Sequence, residues 1–367
     1  MRKRASISLS QLLTDPRSAT QLTESEWDVL VRIARSSRLL GTLRSRLDAA
    51  GVLASIPERV RQHLDSDYAL ARFQRQTTMR ELDSLGRLLG PLQIPVVVLK
   101  GAAYIVQRLR LGDGRFVSDV DLMVPRRHLH QAETTLKAAG WALRELTPYD
   151  EHYYRAWTHE LPPMRCPGYY LELDLHHTIL PLTGRIQPDA DALFEGSVAV
   201  QGTFMRVLSP ADQVLHACAH LAQDSDFADR LRDLVDVDAL IREYCGAVRF
   251  WDLLLERAAL HGLGRPLWYS LRYCSNWLTT PIPAEIQTHL QRWAPPRGVV
   301  SVMDWLVPRS ALPADPDHGP TWAERLARSA LLVRSHWLRM PPGLLARHTL
   351  AKAVRPYFGS RASITRA

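Results

Sequence analysis

Cysteine is scarce in this chain, and the four present, Cys166, Cys218, Cys245 and Cys274, are far apart with no C-x-x-C pair. That spacing argues against a disulfide framework and against a thiolate zinc site. No stretch approaches the ~20 consecutive apolar residues that a membrane-spanning helix needs. The opening "MRKRASISLSQLL" is basic but lacks the apolar run of a secretory signal, so the chain reads as cytoplasmic. Two common phosphate-binding patterns are missing as well: there is no G-x-x-x-x-G-K-[ST], and no G-x-G-x-x-G opens a helix. No internal repeat is found.

What is present is an ordinary globular composition, 46% apolar and 23% charged, over 367 residues, enough for two or three domains. The formal charge of +8 is unevenly placed. Residues 321–367 hold nine Lys/Arg against one acid, Glu324, which accounts for the whole excess; residues 1–320 balance. A surface for phosphate-rich partners or anionic lipid is conceivable there. The favoured reading is a packed helix with a basic solvated face, because the charges are spread out and Leu326, Ala330, Val333 and Trp337 recur at helical spacing.

The tripeptide DVD occurs twice, at 119–121 and 236–238. On a strand, side chains two apart leave from one face, so two aspartates can converge on one cation; on a helix they lie about 200° apart and diverge. The first pair follows the β-branched run "IPVVVLKGAA" and continues as Leu122, Met123 and Val124 up to Pro125, which reads as a strand. "RRHLHQAETTLKAAG" then has helical spacing and ends at a capping glycine, Gly140. The second pair sits in "FADRLRDLVDVDALIREYC", an amphipathic helix, where Asp236 and Asp238 are expected to be solvated or paired with Arg232 and Arg242.

A further strand, "GYYLELDLHHTIL", alternates strictly, with Leu171, Leu173 and Leu175 on one side and Glu172, Asp174 and His176 on the other. Aspartates gathered on neighbouring strands repel unless a cation compensates them, and all-oxygen ligands select magnesium or manganese. Two such ions can align an attacking oxygen with a phosphorus centre and stabilise a leaving pyrophosphate. His216 and His220 have the spacing of a zinc helix, but no glutamate follows His216 as H-E-x-x-H requires, so they are read as structural.

The pieces "VVVLKGAAYIVQRL", "GRFVSDVDLMV", "YLELDLHHTIL" and "VLHACAHLAQDSDFADRLRDLVDVDALI" together resemble the bacterial nucleotidyltransferase family of the DNA polymerase β-like superfamily, over roughly residues 93–245. The resemblance implies an α+β fold, a small mixed β-sheet core with flanking N-terminal and C-terminal helical regions. Its divisions are expected at 1–92 (helical), 93–207 (nucleotidyltransferase core), 208–312 (helical) and 313–367 (linker and basic C-terminal helical segment). It implies that Asp119 and Asp121 bind both divalent ions, that Asp174 binds the catalytic one, and that Gly101 approaches the nucleotide phosphates. Lys100, the lysine that precedes the family's glycine, is a phosphate partner or a lysine leaving the sheet into water. Arg115 either clamps phosphate or neutralises Asp119 and Asp121. His176 either orients Asp174 or touches substrate, or is ordinary strand packing. The superfamily's turn is Gly-Ser, whereas here it is Gly101-Ala102.

The implied activity is magnesium- or manganese-dependent transfer of a nucleoside monophosphate from a nucleoside triphosphate, ATP being expected, to a hydroxyl of a small molecule, peptide or protein. Specific nucleic-acid binding is not expected. The alternative, favoured by Ala102, is a nucleotide- or partner-binding module of the same fold without turnover, antitoxin-like or regulatory.

Overall fold

The computed structural model describes residues 9–223 and 228–347. It opens with helices α1 (Glu24–Ser36), α2 (Leu40–Ala49) and the long α3 (Glu58–Leu89), which ends at Gly90-Pro91. Thr23 starts α1 through a capping box with Glu26, each side chain accepting from the other's backbone N–H.

The sheet region follows as β1 (Val97–Val98), α4 (Lys100–Val106), β2 (Asp119–Met123), α5 (Leu129–Ala138), β3 (Ala142–Leu143), α6 (Pro148–Trp157), β4 (Met164–Arg165), β5 (Glu172–His176), α7 (Ala190–Glu195), β6 (Val198–Ala199) and β7 (Arg206–Val207). Seven strands form one mixed sheet in the order β3-β4-β5-β2-β1-β7-β6. The central pair, β2 and β5, runs parallel with Asp119 opposite Glu172 and Asp121 opposite Asp174. Val120, Leu122, Leu173 and Leu175 face the core at 1% exposure or less, so the alternation in both strands sets the acidic groups on the other face. The fold is α+β, as expected.

Helix α3 holds the entry of both central strands. Gln74 Oε1 accepts the Val117 N–H at 3.2 Å, and the Glu81 carboxylate accepts the N–H groups of Tyr170 at 2.6 Å and Leu171 at 3.3 Å. Both side chains are buried, so these bonds are made out of water, where an unmatched strand N–H is costly.

The second helical block comprises α8 (Pro210–Gln223), α9 (Leu231–Tyr244), α10 (Phe250–Leu260), α11 (Gly264–Leu278), α12 (Ala284–Leu290), α13 (Arg297–Ala311) and α14 (Trp322–Arg339). Ser209 caps α8, its hydroxyl accepting the Asp212 N–H at 3.2 Å. Among the described residues no helix is long and apolar enough to cross a membrane.

Helix α14 packs on α13 and α8, but by a different face from the one the sequence suggested. Ala327, Leu331 and Ser335 are buried, while Leu326 and Val333 of the expected core stripe are 52% and 67% exposed. Trp322 and Trp337 extend that exposed stripe. The helix carries two apolar faces, and spacing alone does not say which one meets the core. Residues 348–367, which complete the basic segment, lie outside the described residues.

Candidate functional site

The centre of the acidic face is Asp121, 2% exposed on the middle strand. Its Oδ1 accepts from Lys100 Nζ at 2.7 Å and lies 2.9 Å from His176 Nε2. Burial works against the Asp121 charge, yet the lysine and the histidine outweigh it and hold the carboxyl far below the usual range. Burial likewise opposes the ammonium of Lys100, and the pull of Asp121, with Glu160 and Asp119 behind it, reverses this and raises its pKa. Lys100 therefore does not leave the sheet for water; it lies against the carboxylate. Its backbone has φ 46°, a conformation L-residues adopt only under constraint, at the point where β1 hands over to α4.

Asp174, opposite Asp121, has the reverse environment. Its Oδ1 is buried with no hydrogen-bond partner among the described residues. Burial first, then the neighbouring charges of Asp121 and Glu160, push its carboxyl up to about 7. Asp119 is also raised, by burial and then by Asp121. The strand register thus gathers three carboxylates with less positive charge than they need, because the one nearby lysine is committed to Asp121.

Gly101 and Arg115 meet behind this face. A Cβ on Gly101 would overlap Arg115 Nη1, so glycine is required by close approach. The guanidinium lies over the Tyr104 ring at 5.4 Å and is gripped by Asp236, with Nε 3.0 Å from both carboxylate oxygens and Nη2 2.7 Å from Oδ2. Among the described residues the direct partner of Arg115 is Asp236 of the second DVD, not the first aspartate pair. Its field still reaches Asp119, whose pKa it lowers after Lys100 does.

The second pair does diverge on a helix, as geometry requires, but neither member is solvated: Asp236 is 8% and Asp238 1% exposed. Asp238 pairs with Arg242 at 2.8 Å as expected and accepts from Thr280 Oγ1 at 2.7 Å. Asp236 takes Arg115 in place of Arg232. A partner 121 residues away is invisible to a search for i,i+4 pairs.

Two residues escaped the sequence reading altogether. Glu160 bridges His176 backbone to backbone, which sets His159 and Glu160 beside it. Glu160 Oε2 lies 3.5 Å from His176 Nε2 and 3.9 Å from His159 Nε2. The segment "THELPPM" has no periodicity to mark it, and only the tertiary bridge gives it a place in the site. His216 of α8 also approaches closely enough that Lys100 depresses its pKa, after the larger effect of burial.

An α+β fold with a strand-borne acidic centre is the class that this arrangement defines. Residues 23–279, more than half of the chain, match a family described as uncharacterised nucleotidyltransferases, and the chain belongs to that family. No curated protein and no solved structure matches it.

Proposed function

We propose that this protein is a magnesium-dependent nucleotidyltransferase that moves a nucleoside monophosphate from a nucleoside triphosphate to a hydroxyl of a small-molecule, peptide or protein acceptor. The observation that carries the reading is the parallel register that sets Asp121 opposite Asp174 with Asp119 on the same face. The buried, unpartnered Oδ1 of Asp174 fits a cation-binding role, since carboxylates so placed stay ionised only against added positive charge. Asp119, Asp121 and Asp174 are the residues that would hold the metal. When bound, such ions supply charge neutralisation at the transferred phosphoryl group and at the leaving pyrophosphate.

The chain's own residues do the rest. Lys100 and His176 occupy Oδ1 of Asp121, fix its orientation and leave Oδ2 for the cation. Asp174, whose buried Oδ1 has no hydrogen-bond partner among the described residues, would receive the acceptor hydroxyl's proton. The hydroxyl oxygen bonds to the α-phosphorus, and the bond from that phosphorus to the pyrophosphate oxygen breaks. Arg115, held by Asp236, supports Gly101 at the phosphate-facing turn.

A second reading rests on Ala102, which stands in α4 where the wider superfamily has a serine. Without that hydroxyl the fold would bind nucleotide and not turn it over. Calorimetry with ATP and magnesium, followed by mass spectrometry of acceptors incubated with each labelled triphosphate, separates the two. Triphosphate affinity is expected to need the divalent ion and to vanish in Asp119→Asn/Asp121→Asn. Equal affinity with and without magnesium overturns the metal assignment, and tight binding with no product on any acceptor, the protein itself included, favours the binding module.

A further inference from the structure

We propose that the exposed face of α14 docks the protein on an anionic lipid surface. Trp322, Leu326, Val333 and Trp337 are 71%, 52%, 67% and 49% exposed. At about 100° per residue they fall within an arc of about 60°, on the side of the helix away from the buried Ala327, Leu331 and Ser335, and they run for about 22 Å along its axis. A tryptophan stands at each end. A helix on a soluble surface ordinarily turns polar side chains to water; this one turns four apolar groups there in a line, the mark of an interaction surface.

Positive charge borders the stripe. Arg325 is exposed beside Leu326, and Arg339 follows Trp337 by two residues. Exposed Arg185, from the loop after β5, sets its guanidinium 4.4 Å from the centre of the Trp337 ring and is held there by its Nε, which donates to Trp337 O at 2.9 Å. Residues 321–367 carry nine Lys/Arg against one acid, Glu324. That acid is tied into the cap of α14, where its carboxylate accepts the Thr321 N–H at 2.6 Å.

Apolar stripe and charge together select the partner. Tryptophan favours the boundary between lipid headgroups and acyl chains, and arginines beside it reach the phosphates. A second copy of this chain would set one basic face against another, with Glu324 the one acid in either helix. A nucleic acid would satisfy the arginines and leave the apolar stripe against water or phosphate. Helix α14 lies outside residues 23–279, the part that matches the nucleotidyltransferase family, so docking stands or falls apart from the transfer reaction.

The test is flotation of the full chain with vesicles of phosphatidylglycerol and phosphatidylcholine, beside vesicles of phosphatidylcholine alone. Binding is expected to the anionic vesicles only, and to fall as salt rises. Trp322→Ala/Trp337→Ala should weaken it by about tenfold or more at an unchanged melting temperature, since both side chains are exposed. Arg325→Glu should weaken it through charge alone, and Leu253→Ala, at an exposed apolar position on α10, should leave it unchanged. Absence of binding, or binding that neither the tryptophan pair nor Arg325 affects, overturns the proposal. Three further results overturn it by naming another occupant: a lipid-free dimer that the double variant dissociates (a second copy), duplex DNA bound as tightly as the vesicles (a nucleic acid), or a double variant that melts well below the parent (another part of this chain).

Discussion

Among single residues, Gly101 and Asp236 make the sharpest demands, because they hold opposite sides of one guanidinium. Gly101→Ala forces Arg115 away from Asp236 or shifts α4, and a loss of about 1–3 kcal/mol is expected for such overpacking. Asp236→Asn leaves a buried arginine without its counter-charge, for which about 3–5 kcal/mol is typical. Denaturant titration measures both losses. Magnesium binding should survive Asp236→Asn at temperatures where the variant is folded, because Asp236 is on α9 and the proposed ligands are on β2 and β5. Loss of binding in a folded Asp236→Asn variant would overturn the separation of the second DVD from the metal site.

The elements show what a sequence can and cannot say. Strand alternation placed Asp119 and Asp121 on one face and Asp174 and His176 on another strand's polar face, since period two is local information. Helix periodicity placed α5 and α9 for the same reason. The pairing of Asp236 with Arg115, the grip of Gln74 and Glu81 on the strand entries, and the approach of His159 and Glu160 were not legible, because each depends on partners distant in sequence. Helix α14 failed for a subtler reason: it has two apolar faces and only contact selects one. Leu331→Ala is accordingly expected to cost about 2–5 kcal/mol, and Val333→Ala to stay within about 0.5 kcal/mol, by thermal or chemical unfolding.

Another element contact has a pH signature. Glu133 on α5 accepts from Arg155 on α6 at 2.8 and 3.1 Å and pairs with Lys137 at 2.8 Å. The Arg155 hydrogen bonds outweigh burial and, with Lys137, hold its carboxyl near about 2, against an ordinary value of 4.5. A folded pKa below the unfolded one stabilises fully above the ordinary value, and that stability is lost as pH falls from 4.5 toward about 2. Chemical denaturation across this range should show a shallower acid limb in Glu133→Gln. An unchanged slope would mean that the pair contributes nothing.

Over the whole molecule, the helical flanks and the sheet are joined by ties out of reach of any single segment. Arg185 N–H donates to Leu338 O at 2.9 Å, and Thr183 Oγ1 donates to Arg339 O at 2.8 Å, so the end of α14 is fastened to the loop after β5. Deleting 321–367 removes these bonds together with the Ala327–Leu331–Ser335 contact. Lower melting temperature and solubility are expected, beyond any loss of polyanion affinity. A truncated chain that melts with the full one and loses only polyanion binding would overturn that.

The tie between Arg115 and Asp236 has a consequence in time. The two are separated by 121 residues, and a ribosome adds about 5–20 residues per second, so Arg115 is made some 6–24 s before its partner. Strand β1 likewise waits for β7, more than a hundred residues later, before its second edge is covered. During that interval the nascent sheet displays an open edge and a guanidinium with no anion to receive it. Nascent chains stalled before residue 236 should therefore be more easily cleaved by protease around Arg115 than chains stalled after α9 has emerged.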